Sequence, residues 1–229
     1  MKISICAVIS VIVAEFLGYW LHRLLHSDTL RVLSRSHMKH HLVLYGPRQN
    51  QRPSSDYIDA TTGQIALGNI GLEWLMPSGI LLAGSVAFFC LLGIRPLYQF
   101  VYVVVVLAWS FLSFSYLHDR MHEKGSWIET NRWTRRWFLN ARKLHDVHHR
   151  TLRDDGRMDK NFGIGFFFFD RLFGTLARHQ RPFNHRGYDA AKRRYDDLIN
   201  QGLRRQSSIQ SEMQSSLKRA NSLSSEHNS

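Results

Sequence analysis

The sequence predicts an all-α fold: an integral membrane helical bundle with a histidine-rich helical cap on its cytoplasmic side. Three observations predict it. They are three apolar stretches of membrane-crossing length, a lopsided distribution of Lys and Arg, and a histidine pattern that occurs twice. A helix rises about 1.5 Å per residue, so about 20 apolar residues cover a bilayer core about 30 Å thick.

The first stretch, 3–21, starts near the N-terminus, where a cleaved leader is the alternative reading. It includes Glu15, offers no small-x-small cleavage site before Gly18 and runs straight into histidines, so it reads as a retained helix. The second, 65–94, is long for one crossing and is interrupted by Pro77, Ser78 and Gly79. One kinked span and a hairpin of two short helices both fit it. The third is 97–117. His22 and His26 follow the first stretch, and His118 and His122 follow the third. These pairs meet only if the net number of crossings between Leu21 and Leu97 is one.

Of the 30 Lys and Arg, six lie between His22 and Ala60, 22 lie after Leu117, and only Lys2 and Arg95 remain for the opposite side. Cytoplasmic loops collect Lys and Arg near span ends, which places the histidines on the cytoplasmic side. The same partition accounts for the net charge of +12 as a face resting on anionic headgroups. No zinc-finger or helix-turn-helix signature supports a nucleic-acid partner. Cys6 and Cys90 fall in apolar stretches and read as small core residues, not a disulfide. Residues 1–202 read as one membrane domain, with a charged surface helix over Tyr188–Leu198. Residues 203–229 read as a disordered tail, since nine of the last 23 residues are serine and apolar anchors are few.

Ten of the 13 histidines form four motifs. In order they are HRLLH (His22, His26), HMKHH (His37, His40, His41), HDRMH (His118, His122) and HDVHH (His145, His148, His149). A pair at i, i+4 is followed both times by a triplet at i, i+3, i+4. Residues three and four apart share one helix face, with Cβ atoms about 5–6 Å apart. A pair can therefore chelate one ion from one helix, while the i+3 and i+4 rings of a triplet diverge enough to reach two ions. Four such segments can enclose two metals with up to five imidazoles each. A lone HxxxH arises by chance; both motifs twice in one order, each pair directly after an apolar span, is specific. Imidazole suits zinc, copper, iron and nickel alike, and the HExxH of zinc proteases is absent. His179, His185 and His227 lie outside the pattern.

Four further residues are candidates near such a site. Glu15 lies seven residues before His22 on the same helical stripe, about 10 Å below it, where a carboxylate faces the bundle interior. Asp119 and Asp146 each follow a motif histidine, and a metal-bound imidazole donates its other N–H to a carboxylate or carbonyl. A solvated loop carboxylate is the plainer reading of both. Asn161 could orient a ligand or a metal-bound water. Phe166–Phe169 suits packing against lipid, substrate or core. Trp127, Trp133 and Trp137 with Arg132, Arg135 and Arg136 read as an interfacial helix, or as a docking surface for a donor protein.

The four motifs, followed by NFGIGFFFFDRLFGT over 161–175, resemble the fatty acid hydroxylase/sterol desaturase superfamily of membrane di-iron oxygenases, roughly from Glu15 to Thr175. The resemblance implies two iron ions held by the ten motif histidines, with zinc as an alternative occupant of isolated protein, and O2 as co-substrate. It also implies a fatty acyl or sterol-like membrane lipid as substrate and electrons from a separate donor, cytochrome b5-like or a ferredoxin with its reductase. No cytochrome b5, flavin or NAD fingerprint occurs in this chain. The expected activity is O2-dependent lipid hydroxylation. Desaturation on the same centre and non-enzymatic metal binding or transport are the alternatives, although transport wants polar ligands within the spans and these hold almost none beyond Glu15 and Glu73. The lack of a fused donor domain and of a retrieval signal points to a bacterial inner membrane, or to the endoplasmic reticulum membrane in a eukaryote.

Overall fold

The computed structural model describes residues 2–27, 29, 31–47, 49–56, 66–67, 70–196 and 200. The expected tail at 203–229 and His227 lie outside them, as do residues 197–198 of the expected surface helix. Along the chain, α1 (Ile3–Leu25) is followed by α2 (Arg31–Lys39), α3 (Leu72–Leu91), α4 (Pro96–Ser110), α5 (His118–His122), α6 (Trp127–Thr130), α7 (Arg135–Arg150), α8 (Phe168–Leu172) and α9 (His185–Arg194). Two π-helical stretches, His40–Leu44 and Phe111–Leu117, adjoin histidine motifs. The helical prediction is amended by short β pairings among the described residues. Arg52–Pro53 runs parallel to Glu123–Lys124, Ala66–Leu67 pairs antiparallel with Ile70–Gly71, and Leu152 bridges Met158.

Two helices, Ile3–Leu25 and Pro96–His122, are long and apolar enough to cross a membrane. Both exceed the stretches read from hydropathy. Neither HRLLH nor HDRMH contains a helix breaker, so each pair forms the last turns of its helix instead of a loop beyond it. Pro96 starts the second helix at a position where its missing N–H costs nothing and its fixed φ is already helical. Of the two readings of the middle stretch the single helix is found, and its apolar part, Met76–Leu91, is shorter than either helix of crossing length. Pro77 lies inside one continuous helix, α3, and marks no hairpin, while Ala66–Leu67 belongs to a strand pairing. Pro77 is the sixth residue of α3, so it removes one i→i−4 hydrogen bond, and the helix continues past it.

α1 packs against α4 around Ala14, Tyr102 and Val106, with Leu82 and Phe89 of α3 beside them. Phe89 meets the Tyr102 ring edge-on at 4.9 Å. The closest approach is at Gly18, where a Cβ would lie 1.9 Å from the Phe114 ring. On the outer faces Ile5, Ile9 and Ile12 of α1 and Phe100, Val104 and Leu107 of α4 are exposed. Apolar patches of that extent mark contact with something other than water. At the histidine end of the spans, Phe114, Leu117 and Met121 pack with Phe138, Ala141 and Ile164 to form the core of the cap. Arg142 is buried there, donating to the carbonyls of Arg120 and Glu123 and pairing with Glu129 at 2.9 Å.

Because no space exists for a side chain at position 18, we predict that Gly18→Ala costs about 1–3 kcal/mol through overpacking. The thermal unfolding midpoint of the detergent-solubilised protein should fall. An unchanged midpoint would remove Phe114 from the α1 contact.

Candidate metal centre

Consecutive residues on a helix point about 100° apart. The neighbouring histidines that end each triplet therefore cannot face the same way, and the fold uses this divergence. His22, His26, His37 and His41 gather with His148, whereas His118, His122, His145 and His149 gather with His40. Each group of five brings its donor atoms within 4.8 Å of one another. Each half of the chain thus supplies four rings to its own group and one, the i+3 member of its triplet, to the other. All ten side chains are buried.

Contacts inside the groups fit a shared cation. In the first, Nε2 of His26 lies 3.1 Å from Nε2 of both His37 and His148, and His37 and His41 meet at 3.2 Å. In the second, Nε2 of His145 lies 3.1 Å from Nε2 of both His122 and His149. Imidazole nitrogens bound at about 2.0–2.1 Å to one ion stand about 3 Å apart, so these spacings are those of ligands on a common centre. Both ring nitrogens of His40, and Nε2 of His118, are buried with no hydrogen-bond partner among the described residues. A buried polar atom left unsatisfied costs about 1–3 kcal/mol, which a bound cation would offset.

Tautomers are fixed by backbone carbonyls, which only accept. Nδ1 of His22 donates to Phe162 O at 2.7 Å, His122 to Asn50 O at 2.6 Å, His148 to Lys160 O at 2.6 Å and His149 to Tyr45 O at 3.0 Å. Each of these neutral rings then turns a bare Nε2 lone pair inward, as a metal ligand must. Burial, followed by repulsion from neighbouring rings, holds His26, His37, His40, His41, His145 and His149 well below the usual histidine range. His148 is lowered to about 4, mainly by burial, with its bond to Lys160 opposing.

Two carboxylates, the half-buried Asp146 and the buried Asp170, hold the carbonyls in place. Asp146 accepts from Asn50 Nδ2 at 2.7 Å and Gln51 Nε2 at 2.6 Å, so it acts on His122 through Asn50. Asp170 accepts from the backbone N–H of Phe162 and of Gly163 and from Thr175 Oγ1, at 2.7–2.8 Å, and so fixes the carbonyl that receives His22. Burial raises both acids above the usual range. Gly163 has no room for a Cβ, which would lie 2.5 Å from Phe166 O. Asn161 adopts a left-handed φ of 56°, and its amide is spent on the carbonyls of Leu144 and Ala177 and the N–H of Ala177. It therefore orients no ligand directly. It locks the turn whose flanking carbonyls, Lys160 and Phe162, orient His148 and His22.

The remaining candidates sit elsewhere. Glu15 accepts from Trp109 Nε1 at 2.7 Å in the α1–α4 contact, a structural role. Asp119 is buried beside His118. His179 and His185 are exposed and outside both groups. The Trp and Arg cluster is not one helix: Trp127 begins α6, Trp133 is exposed in the following turn with Arg132 over its ring at 4.7 Å, and Trp137 lies in α7. Of the phenylalanine run, Phe166 and Phe168 are exposed and Phe169 is buried. The carbonyls of Tyr45, Asn50, Lys160 and Phe162 were missed because every residue has a carbonyl. Asp170 had a usable signal, its place in the 161–175 segment.

Residues 7–175 match the family model described as fatty acid hydroxylase. No match is found among curated proteins or among solved structures.

In the unfolded chain a histidine protonates near 6.5, whereas folded His148 does so at about 4. Between these values the unfolded state binds the extra proton, so stability is full above about 6.5 and is lost as pH falls towards about 4. We predict that the denaturation midpoint of chelator-stripped protein drops on acidification from about pH 7 to about pH 5. A flat profile across that window would contradict neutral burial.

Proposed function

Because the chain belongs to the fatty acid hydroxylase family, within the fatty acid hydroxylase/sterol desaturase superfamily, we propose that its ten histidines hold two iron ions and that it hydroxylates a membrane lipid with O2. The observation that carries the proposal is the pair of five-histidine groups with converging, unprotonated donor atoms. Iron held there would supply the redox chemistry needed to use O2 on an unreactive C–H bond. The overall reaction takes a lipid C–H, O2, two electrons and two protons to a lipid alcohol and water. The electrons come from a separate protein, cytochrome b5-like or a ferredoxin with its reductase.

The chain's own residues do three things. The carbonyls of Tyr45, Asn50, Lys160 and Phe162 keep Nδ1 protonated and Nε2 free. Asp146 and Asp170 hold two of those carbonyls still. Phe162, packed against His22, His26 and His148 at centroid distances of 5.8–5.9 Å, keeps water from the first group. The Lys and Arg distribution favours a cytoplasmic histidine face, where such a donor can dock.

The test is expression of the full chain with metal analysis of the purified protein and lipid analysis of the host, with and without O2. A hydroxylated lipid that needs O2 is expected; an unsaturated one would move the assignment to desaturation. His148→Ala and His40→Ala, one from each group, should both abolish the product and lower bound iron. If His148→Ala leaves metal content and lipids unchanged, the metal reading fails. Asp146→Ala should weaken metal retention about 10–100-fold, the usual cost of losing a group that orients a ligand. Retention equal to wild type would separate Asn50 from the centre.

A further inference from the structure

A cavity of about 680 Å³ opens on the outside of the cap, between α7 and the 165–179 segment. Its floor is aromatic. Phe166 lies between Trp109 of α4 and Trp137 of α7, at ring-centroid distances of 6.0 and 5.7 Å, and Trp137 Nε1 donates to Gly165 O. Its rim is cationic. Lys143, Arg171 and Arg178 are exposed, no carboxylate lines the cavity, and none of the three pairs with a carboxylate among the described residues.

The neighbouring contacts fix its level in the bilayer. α8 lies against α1, where Phe169 meets Phe16 at 5.4 Å and Phe173 meets Tyr19 at 5.3 Å and Trp20 at 5.4 Å. Residues 16–20 belong to a membrane-crossing helix just before His22. Phe168 and Leu172 nevertheless point outward, 63% and 61% exposed, so this face of α8 lies in the leaflet on the histidine side. Arg171, on the same helix, can run its stem along that apolar surface and place its head among the headgroups.

We propose that this cavity binds one anionic phospholipid of the histidine-side leaflet, its phosphate-bearing headgroup among Lys143, Arg171 and Arg178 and its upper acyl carbons over Phe166 and Phe168. An acidic protein would meet the cations but would leave the aromatic floor and the exposed face of α8 unused. A zwitterionic lipid carries a cation of its own, which the rim repels. The proposal stands apart from the metal reading, since no histidine of either group lines the cavity.

Native mass spectrometry of the full-length protein in detergent tests it, with equimolar phosphatidylglycerol and phosphatidylcholine as probes. One phosphatidylglycerol should be retained in preference. Lys143→Gln, Arg171→Gln and Arg178→Gln should each weaken its retention about fivefold, the effect of one cation near an anionic surface. Arg193→Gln, on the equally basic α9, should change nothing, and millimolar inorganic phosphate should not displace the lipid. Equal retention of both lipids in the wild type overturns the proposal whatever the variants do. So do displacement by inorganic phosphate, or an equal loss in Arg193→Gln, which would reduce the effect to bulk charge.

Discussion

Ten imidazoles buried in one small volume have to be neutral and have to be aimed. A charged ring there would face both desolvation and the repulsion of its neighbours. A neutral ring can still point either nitrogen inward, and only a bare nitrogen serves a metal. The fold meets both demands by placing backbone carbonyls behind four of the rings, where Nδ1 must donate. Much of the rest of the cap serves to place those four carbonyls.

The carbonyls come from two irregular segments, one after each triplet. Tyr45 and Asn50 lie after the first triplet, and Lys160 and Phe162 lie after the second. Irregular backbone can turn a carbonyl inward, whereas within a helix it is already committed to the ladder. Such segments are mobile unless tied down. The first is tied by Asp146 to Asn50 and Gln51, by Ser54 to Glu123, and by the pairing of Arg52–Pro53 with Glu123–Lys124. The second is tied by Asp170 and by the two-way amide bonds of Asn161. Each segment is thus held by a carboxylate acting through an intervening residue, and both carboxylates, Asp146 and Asp170, come from the second half of the chain.

The crossing of one ring from each triplet joins the halves. His40 and His148 each sit in the group formed mostly by the other half. Neither group of five can assemble until both halves have packed, which makes the site a consequence of the whole bundle and not of any single helix. The contact of Gly18 with Phe114 matters for the same reason, because it sets how closely the two spans that end in HRLLH and HDRMH approach.

Much of this was legible beforehand. Apolar runs, charge asymmetry and the spacing of the histidines are local, one-dimensional properties, and they identified two of the three expected spans as helices of crossing length, the ten rings and the divergence of each triplet. The length of the two helices was underestimated, since hydropathy falls at the histidine motifs while a helix continues until something breaks it, as past Leu21 and Leu117. Asp146 and Asn161 were singled out, but their partners, the side chains of Asn50 and Gln51 and the backbone of Leu144 and Ala177, are distant along the chain and could not be read from it. By itself the sequence picked out the ten histidines that the structure gathers into two groups of five. Which ring joins which group, which nitrogen faces inward, and which carbonyls and acids hold it there were decided only by the tertiary structure. Those choices depend on directions in space between segments up to 140 residues apart, and a residue's type does not encode its direction.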